Sequence, residues 1–274
     1  MLLHSSPILT VMTRAVRKAA RGMVRDFGEV EQLQVSKKGP ADFVSVADTR
    51  AESILHEELS RARPEYGFLM EESGAVAGKD PSHRFIIDPL DGTLNFLHGI
   101  PHFAISVALE RNGDIVAGVI YDPLRDELFY AEKGTGAFMN DRRLRVSART
   151  KLVDSLIATG IPFVGRRHHI AYLAMLEVVV NATSGVRRFG SASLDLTYVA
   201  AGRYDGFWET GLSPWDIAAG ILLVREAGGY VSEVEGGHRM LETGSVLAAN
   251  DHLHLPLGKL LRDAIAQGSA RAAG

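Results

Sequence analysis

The hydrophobic positions change period along the chain, and the changes divide it into elements. Leu9, Met12, Val16, Ala19, Ala20 and Met23 recur at helical spacing with basic residues between them, predicting an amphipathic helix over Ile8 to Asp26. Thr49 to Arg61 repeats the pattern through Ile54, Leu55 and Leu59, and Pro64 closes it. Two short apolar runs follow, Gly67 to Met70 and Phe85 to Ile87, each leading directly into acidic residues. From Phe103 to Leu109 large residues alternate with Ala104, Ser106 and Ala108, the period-two signature of a strand with two unlike faces. Asn112-Gly113-Asp114 turns that strand into Ile115 to Tyr121, and Pro123 to Asp126 turns again into Leu128 to Ala131, which predicts an antiparallel meander. Beyond Thr150 the pattern becomes strand and helix in alternation. Ser155 to Thr159, Val186 to Phe189, Gly206 to Trp208, Tyr230 to Val234 and Val246 to Ala249 are the strands; Ile170 to Asn181, Ser193 to Ala201, Trp215 to Ala227 and Leu255 to Ala266 are the helices. This is a layered α/β arrangement with a soft boundary near Thr150 to Asp154, dividing 1–150 from 151–274 within one continuous domain.

Composition narrows the chemistry. There is no cysteine among 274 residues, which removes disulfides, thiolate nucleophiles and Cys-bound metals, so any metal is held by oxygen or imidazole. The histidines show no paired zinc-site spacing. A net charge of -3 gives no general attraction to nucleic acid or anionic membrane, and no run is long and apolar enough to span one. Met1 to Ala20 carries Arg14, Arg17 and Lys18 among its apolar residues and does not read as a signal peptide; a cytoplasmic enzyme is expected.

The chemistry is concentrated in acidic residues at element ends. In Ile87-Asp88-Pro89-Leu90-Asp91-Gly92-Thr93, two carboxylates leave an apolar strand with a proline fixing the backbone between them, so both can face one or two hard cations. The Leu90 carbonyl is a neutral oxygen ligand, and a helix starting at Gly92-Thr93 would offer backbone N–H groups to a phosphate. The alternative is a plain turn with an aspartate cap. Glu71 and Glu72 follow their strand in the same way. Asp48 is placed immediately before a helix, where capping explains it as well as a metal would. Asp216 lies in the first turn of an otherwise apolar helix, and Glu209 ends an apolar strand within reach of substrate hydroxyls.

Met70-Glu71-Glu72-Ser73, Ile87-Asp88-Pro89-Leu90-Asp91-Gly92-Thr93-Leu94-Asn95-Phe96 and Trp215-Asp216-Ile217-Ala218-Ala219-Gly220, in that order, resemble the inositol monophosphatase family of Mg²⁺-dependent, lithium-sensitive phosphatases. The likeness spans about residues 8 to 266. It implies an α-β-α-β-α sandwich of the inositol monophosphatase and fructose-1,6-bisphosphatase type. It also implies two to three Mg²⁺ ions: one on Glu71, Asp88, the Leu90 carbonyl and Thr93, a second on Asp88, Asp91 and Asp216, and a weaker third near Glu71 and Asp48. Phosphate would meet the Gly92 and Thr93 backbone, substrate hydroxyls would meet Glu209, Ala192 and Asp216, and Lys37 would lie near the site. Two departures stand out. Met70 replaces a residue that is often glycine and is expected to crowd the site, and Gly190-Ser191-Ala192-Ser193-Leu194-Asp195 follows the bacterial branch.

The implied reaction is hydrolysis of myo-inositol 1-phosphate to inositol and phosphate by metal-activated water, with Thr93 and Asp48 or Glu71 orienting the water and taking its proton. Other small substrates remain open: 3'-phosphoadenosine 5'-phosphate, fructose 1,6-bisphosphate or histidinol phosphate. So does an accessory role with RNA polymerase or in ribosomal RNA processing, using Arg166-Arg167-His168-His169 or Arg187-Arg188. A homodimer is expected by analogy; a membrane or nucleic-acid partner is not.

Overall fold

The structure is a computed structural model that describes residues 6–29, 35–39, 42–162 and 169–273, with side chains described outside 35–44 and 268–273. Helix α1 (Pro7–Gly28) begins at Ser6, whose Oγ accepts the Leu9 N–H. A hairpin of β1 (Val35–Gly39) and β2 (Asp42–Ser45) leads into α2 (Val46–Ala62). Then come β3 (Tyr66–Met70), β4 (Gly74–Val76), β5 (Asp80–Asp91), the short helix α3 (Thr93–Leu97), β6 (Ala104–Arg111), β7 (Asp114–Asp122), β8 (Glu127–Glu132), β9 (Gly136–Met139) and β10 (Arg142–Arg143). They form an eight-stranded sheet in the order β10-β9-β8-β7-β6-β5-β3-β4. The meander β6 to β8 is antiparallel as its sequence predicts, and β3 pairs with β5 in parallel.

The second sheet is built from β11 (Leu156–Thr159), β12 (Gly185–Arg187), β13 (Gly206–Glu209), β14 (Tyr230–Ser232) and β15 (Val246–Ala249), in the order β12-β11-β13-β15-β14. Between these strands run α4 (His169–Ala182), α5 (Ala192–Ala200), α6 (Pro214–Glu226) and α7 (Met240–Thr243), and α8 (Asp251–Ala273) follows them.

Three apolar clusters define the layers. Phe85, Ile87, Ile105, Val107 and Val119 face α1 and α2 in one. The opposite sheet face, with Ile86, Ala104, Ala108 and Ile120, meets α5 and α6, which also take Phe207 and Ala248 from the second sheet. That sheet's far face, with Ile157, Trp208 and Leu247, packs on α4 and α8. The result is the expected α-β-α-β-α sandwich. The alternation in β6 now has a cause. Large residues fill the space beneath α1 and α2, while small ones allow α6 to lie close to the sheet. Gly118 marks the tightest approach, because a Cβ there would stand 3.0 Å from the Ala219 Cα.

Element ends differ most from the expectation at β5, α8 and the start of α2. β5 extends well before Phe85, because the polar stretch around His83 and Arg84 pairs with Arg111 and Glu110 of β6; strand partners override local propensity there. Helix α8 starts at Asp251 and continues through Pro256. Asp48 does not precede α2: β2 ends at Ser45, which caps the helix, and Asp48 sits inside the first turn. Among the described residues no helix is long and apolar enough to cross a membrane.

Candidate active site

The carboxylates of the first sheet are brought together by a bulge. The β5/β6 ladder runs regularly from His83 to Asp88, paired with Ser106, and resumes at Asp91, paired with Ala104, so Pro89 and Leu90 together stand opposite the single residue Ile105. Regular pleating would send Asp88 and Asp91, three apart, to opposite faces. The bulge resets that alternation, and Pro89 sits where its missing N–H removes no ladder bond. Asp88 Oδ1 then accepts the Leu90 N–H at 2.9 Å, closing the turn.

Gly92 follows with φ of 96°, a left-handed conformation suited to glycine, and caps α3. Its bare α-carbon is also needed for space, since a Cβ would lie 3.0 Å from the His102 carbonyl oxygen. The helix places the Thr93 hydroxyl 2.9 Å from the Leu90 carbonyl and 3.2 Å from Asp48 Oδ1. Asp48 is fully buried, and its Oδ2 accepts both the N–H and the hydroxyl of Ser45. Burial pushes the Asp48 carboxyl up, and the bonds from Ser45 and Thr93 pull it part of the way back.

Asp88 is the centre of the acidic group. It is 2% exposed, its side chain is hydrogen-bonded to Glu71, and it feels the charges of Glu71, Asp91 and Asp216. Burial first, and then these three like charges, hold its carboxyl well above the usual carboxylate range. Four acidic residues from three stretches of sequence therefore share one locality.

The second half of the chain supplies the other wall. Asp91 Oδ2 accepts the Ser191 hydroxyl at 2.6 Å, the Ser193 hydroxyl at 2.5 Å and the Ser193 N–H at 2.7 Å. Asp91 thereby caps α5 from a distant strand, in place of the Ser191 side chain that stands at the N-cap. Burial raises the Asp91 carboxyl, and these serine bonds oppose the rise. Asp216 sits in the first turn of α6 with Oδ2 on the Ser213 N–H at 2.7 Å. Sequence reasoning named Asp91 and missed its serine clamp; the only signal was the Gly190-Ser191-Ala192-Ser193 motif, about a hundred residues away in the chain.

A cavity of about 290 Å³ opens beside these groups, lined by Asp91, Gly92, Thr93, Ala192, Glu209 and Asp216 among others. Arg188 and Gly160 also face it. Gly160 leaves room for Glu209, whose Oε1 would lie 1.9 Å from a Cβ at 160. Asp195, behind this wall, is fully buried and raised well above the ordinary range, first by burial and then by Glu209 and Asp91.

The structure thus places Glu71, Asp91 and Asp216 within electrostatic reach of Asp88 and joins Thr93 to Asp48. Met70 does not crowd the site: it is 3% exposed and packs into the core beneath α1 and α2. The Lys37 side chain lies outside the described residues, as do Arg166, Arg167 and His168. Among the described residues no three acidic or histidine side chains stand in ready-made ligand geometry. Asp91 and Asp216 each give one carboxylate oxygen to serine donors. The donor set nevertheless suits a hard divalent cation, being all oxygen, strongly anionic and, at Asp88, visibly short of positive charge.

The chain matches the inositol monophosphatase family over residues 4–267. The chain belongs to this family. It is 63% identical over 257 residues to an inositol-1-monophosphatase of Mesorhizobium japonicum, covering 94% of this chain and 97% of that one. It is 42% identical over 265 residues to the Nus factor SuhB of Escherichia coli, covering 97% and 99%. The crystal structure of extragenic suppressor protein suhB from Bartonella henselae superposes with a TM-score of 0.91 at 59% identity, covering 93% of this chain and 98% of that chain. As a member of the inositol monophosphatase family the protein is a phosphatase of a metal-dependent class acting on small phosphorylated molecules.

Proposed function

We propose that the protein is a Mg²⁺-dependent phosphomonoesterase that converts myo-inositol 1-phosphate and water to inositol and phosphate. The observation that carries this reading is Asp88, buried among Glu71, Asp91 and Asp216 beside a cavity whose far wall holds Glu209. At about 290 Å³ the cavity lies at the lower edge of ligand pockets, which run from about 300 to 1,000 Å³, and so suits a small substrate. The names of the curated relatives support the choice of inositol phosphate.

Glu71, Asp88, the Leu90 carbonyl, Asp91 and Asp216 would hold the cations, in two or three positions. Divalent ions bound there supply positive charge toward the phosphoryl oxygens and lower the pKa of water. Thr93 and Asp48 form a relay: the Thr93 hydroxyl orients the attacking water, and Asp48, poised upward by burial, receives the proton. Glu71 is the alternative proton acceptor. The backbone of Gly92 and Thr93 positions the phosphate. Glu209, the Ala192 backbone and Asp216 orient the polyol hydroxyls, with Lys37 at the margin. Attack in line with the leaving oxygen gives hydrolysis without a covalent phosphoenzyme.

The test is phosphate release from myo-inositol 1-phosphate with Mg²⁺ present, absent and competed by Li⁺, beside 3'-phosphoadenosine 5'-phosphate, fructose 1,6-bisphosphate and histidinol phosphate. Turnover that ignores Mg²⁺, or that prefers another substrate, overturns the reading. A cytoplasmic homodimer accompanies this proposal, supported by the outward Ile170, Leu173 and Val180 of α4; light scattering checks the assembly. A second reading, the accessory role in transcription or ribosomal RNA processing, is favoured by the relative named as a Nus factor. Partner capture from cell extract that survives Asp91→Asn would support it.

A further inference from the structure

One buried carboxylate near the site has no place in the mechanism above. Glu52, in α2, is 3% exposed. Its Oε2 accepts the Glu72 N–H at 2.8 Å, and its Oε1 accepts the Ser73 hydroxyl at 2.5 Å. The turn it grips carries Glu71. On the other side that turn is tied to the sheet by the Glu71 N–H, which donates to the Ile87 carbonyl at 3.2 Å. Glu71 is therefore held between β5 and α2.

Glu52 stands four residues after Asp48 in the same helix, so the two carboxylates share one face, a single turn apart. Asp48 meets the Thr93 hydroxyl, and Glu52 meets the Glu71 turn. We infer that Glu52 is a positioning residue that fixes the Glu71 carboxylate against Asp88, with α2 setting the spacing between the Thr93 turn and the Glu71 turn. Glu52 touches no reacting atom; it acts through Glu71. Its burial matters, because a carboxylate removed from water makes short bonds to N–H and O–H donors and holds them against competing solvent. The turn closes the β3/β4 hairpin, in which Met70 pairs with Gly74, and Glu52 is what ties its tip to α2. This inference rests on the reading of Glu71 as a metal-holding residue.

The experiment measures Mn²⁺ binding directly, by calorimetry and by electron paramagnetic resonance of the ion, together with kcat and KM for myo-inositol 1-phosphate. Truncation of residues that orient ligands commonly weakens metal affinity by about 10- to 100-fold. Glu52→Ala is expected to fall in that range and to lower kcat at fixed metal, with KM changed less than about threefold, since the polyol wall is untouched. Glu52→Gln keeps a carbonyl oxygen for the Glu72 N–H and is expected to bind Mn²⁺ within about threefold of wild type. Ser73→Ala, which removes one of the two bonds, is expected to lose affinity by about threefold. Wild-type affinity in Glu52→Ala overturns the assignment, as does a tenfold loss in Glu52→Gln. If Glu52→Ala does not fold, unchanged binding in Ser73→Ala overturns it. Asp88→Asn separates this failure from the larger one: if that variant also binds Mn²⁺ normally, the metal reading of the site falls first.

Discussion

Buried carboxylates in two regions of this molecule are treated in opposite ways. Between α1 and α2, Asp26 meets Arg25 and Arg50, and Glu58 meets Lys18, Arg61 and, at 3.7 Å, Arg14. The Lys18 hydrogen bond leads the effects that hold the Glu58 carboxyl below its ordinary value. At the active site, Asp88 meets Glu71, Asp91 and Asp216, and its carboxyl is pushed up. The first arrangement is complete within the chain. The second accumulates like charge in a buried place, which stability alone would not select and which a bound cation would relieve.

The largest test of that contrast is Asp88→Asn. Removing the central charge is expected to reduce turnover by about a hundredfold to a thousandfold, the scale seen for preorganised electrostatic groups. The metal-free protein should meanwhile melt at the same temperature or a few degrees higher, because repulsion is relieved. Loss of activity together with a lower melting temperature would mean that Asp88 is structural, like Asp26.

His102 is a third case, a buried titratable group with neither arrangement. Its Nε2 has no hydrogen-bond partner, and its ring lies near Phe189 and Tyr198. Burial, helped by Arg125, pushes its pKa down to about 4. The unfolded chain therefore takes up a proton below about 6.5 that the folded chain refuses until about pH 4. Stability is full above that window and is lost as pH falls through it. Wild type should lose roughly 2 kcal/mol more than His102→Phe between pH 7 and pH 5, measured by urea unfolding. Equal losses would show that the ring is not held neutral.

Two smaller effects sharpen the comparison. Gly160→Ala forces Glu209 from its place and is expected to raise KM roughly tenfold with kcat little changed. A matching fall in kcat would place Glu209 in the chemistry instead of in binding. Asp26→Ala should cost about 1 kcal/mol, since its arginine partners are half-exposed, and should leave turnover alone.

The sequence carried the layers well because they follow from periodicity: the large-and-small alternation at 103–109 faces α1 on one side and α6 on the other. Glu71, Asp88 and Glu209 stood out because each ends an apolar run, and Asp216 because it opens an apolar helix. It misplaced Asp48, because Ser45 and Asp48 are both good capping residues and only the folded turn shows which one stands at the N-cap. It shortened β5 because the residues before Phe85 are polar and include Pro81, and their strand character comes from pairing with β6. The grip of Ser191 and Ser193 on Asp91, and of Glu52 on the Glu71 turn, had no local signature, since each joins segments brought near only by the fold.

The close seating of α6 on Gly118 has a consequence for anyone altering this protein. Asp216 and the Asp91 clamp stand at the leading ends of α6 and α5, so a bulky side chain deep in the middle layer would move them and be mistaken for a chemical defect. Libraries aimed at new substrates belong on the rim, at Ile161 and Thr210, where variation need not shift the helices.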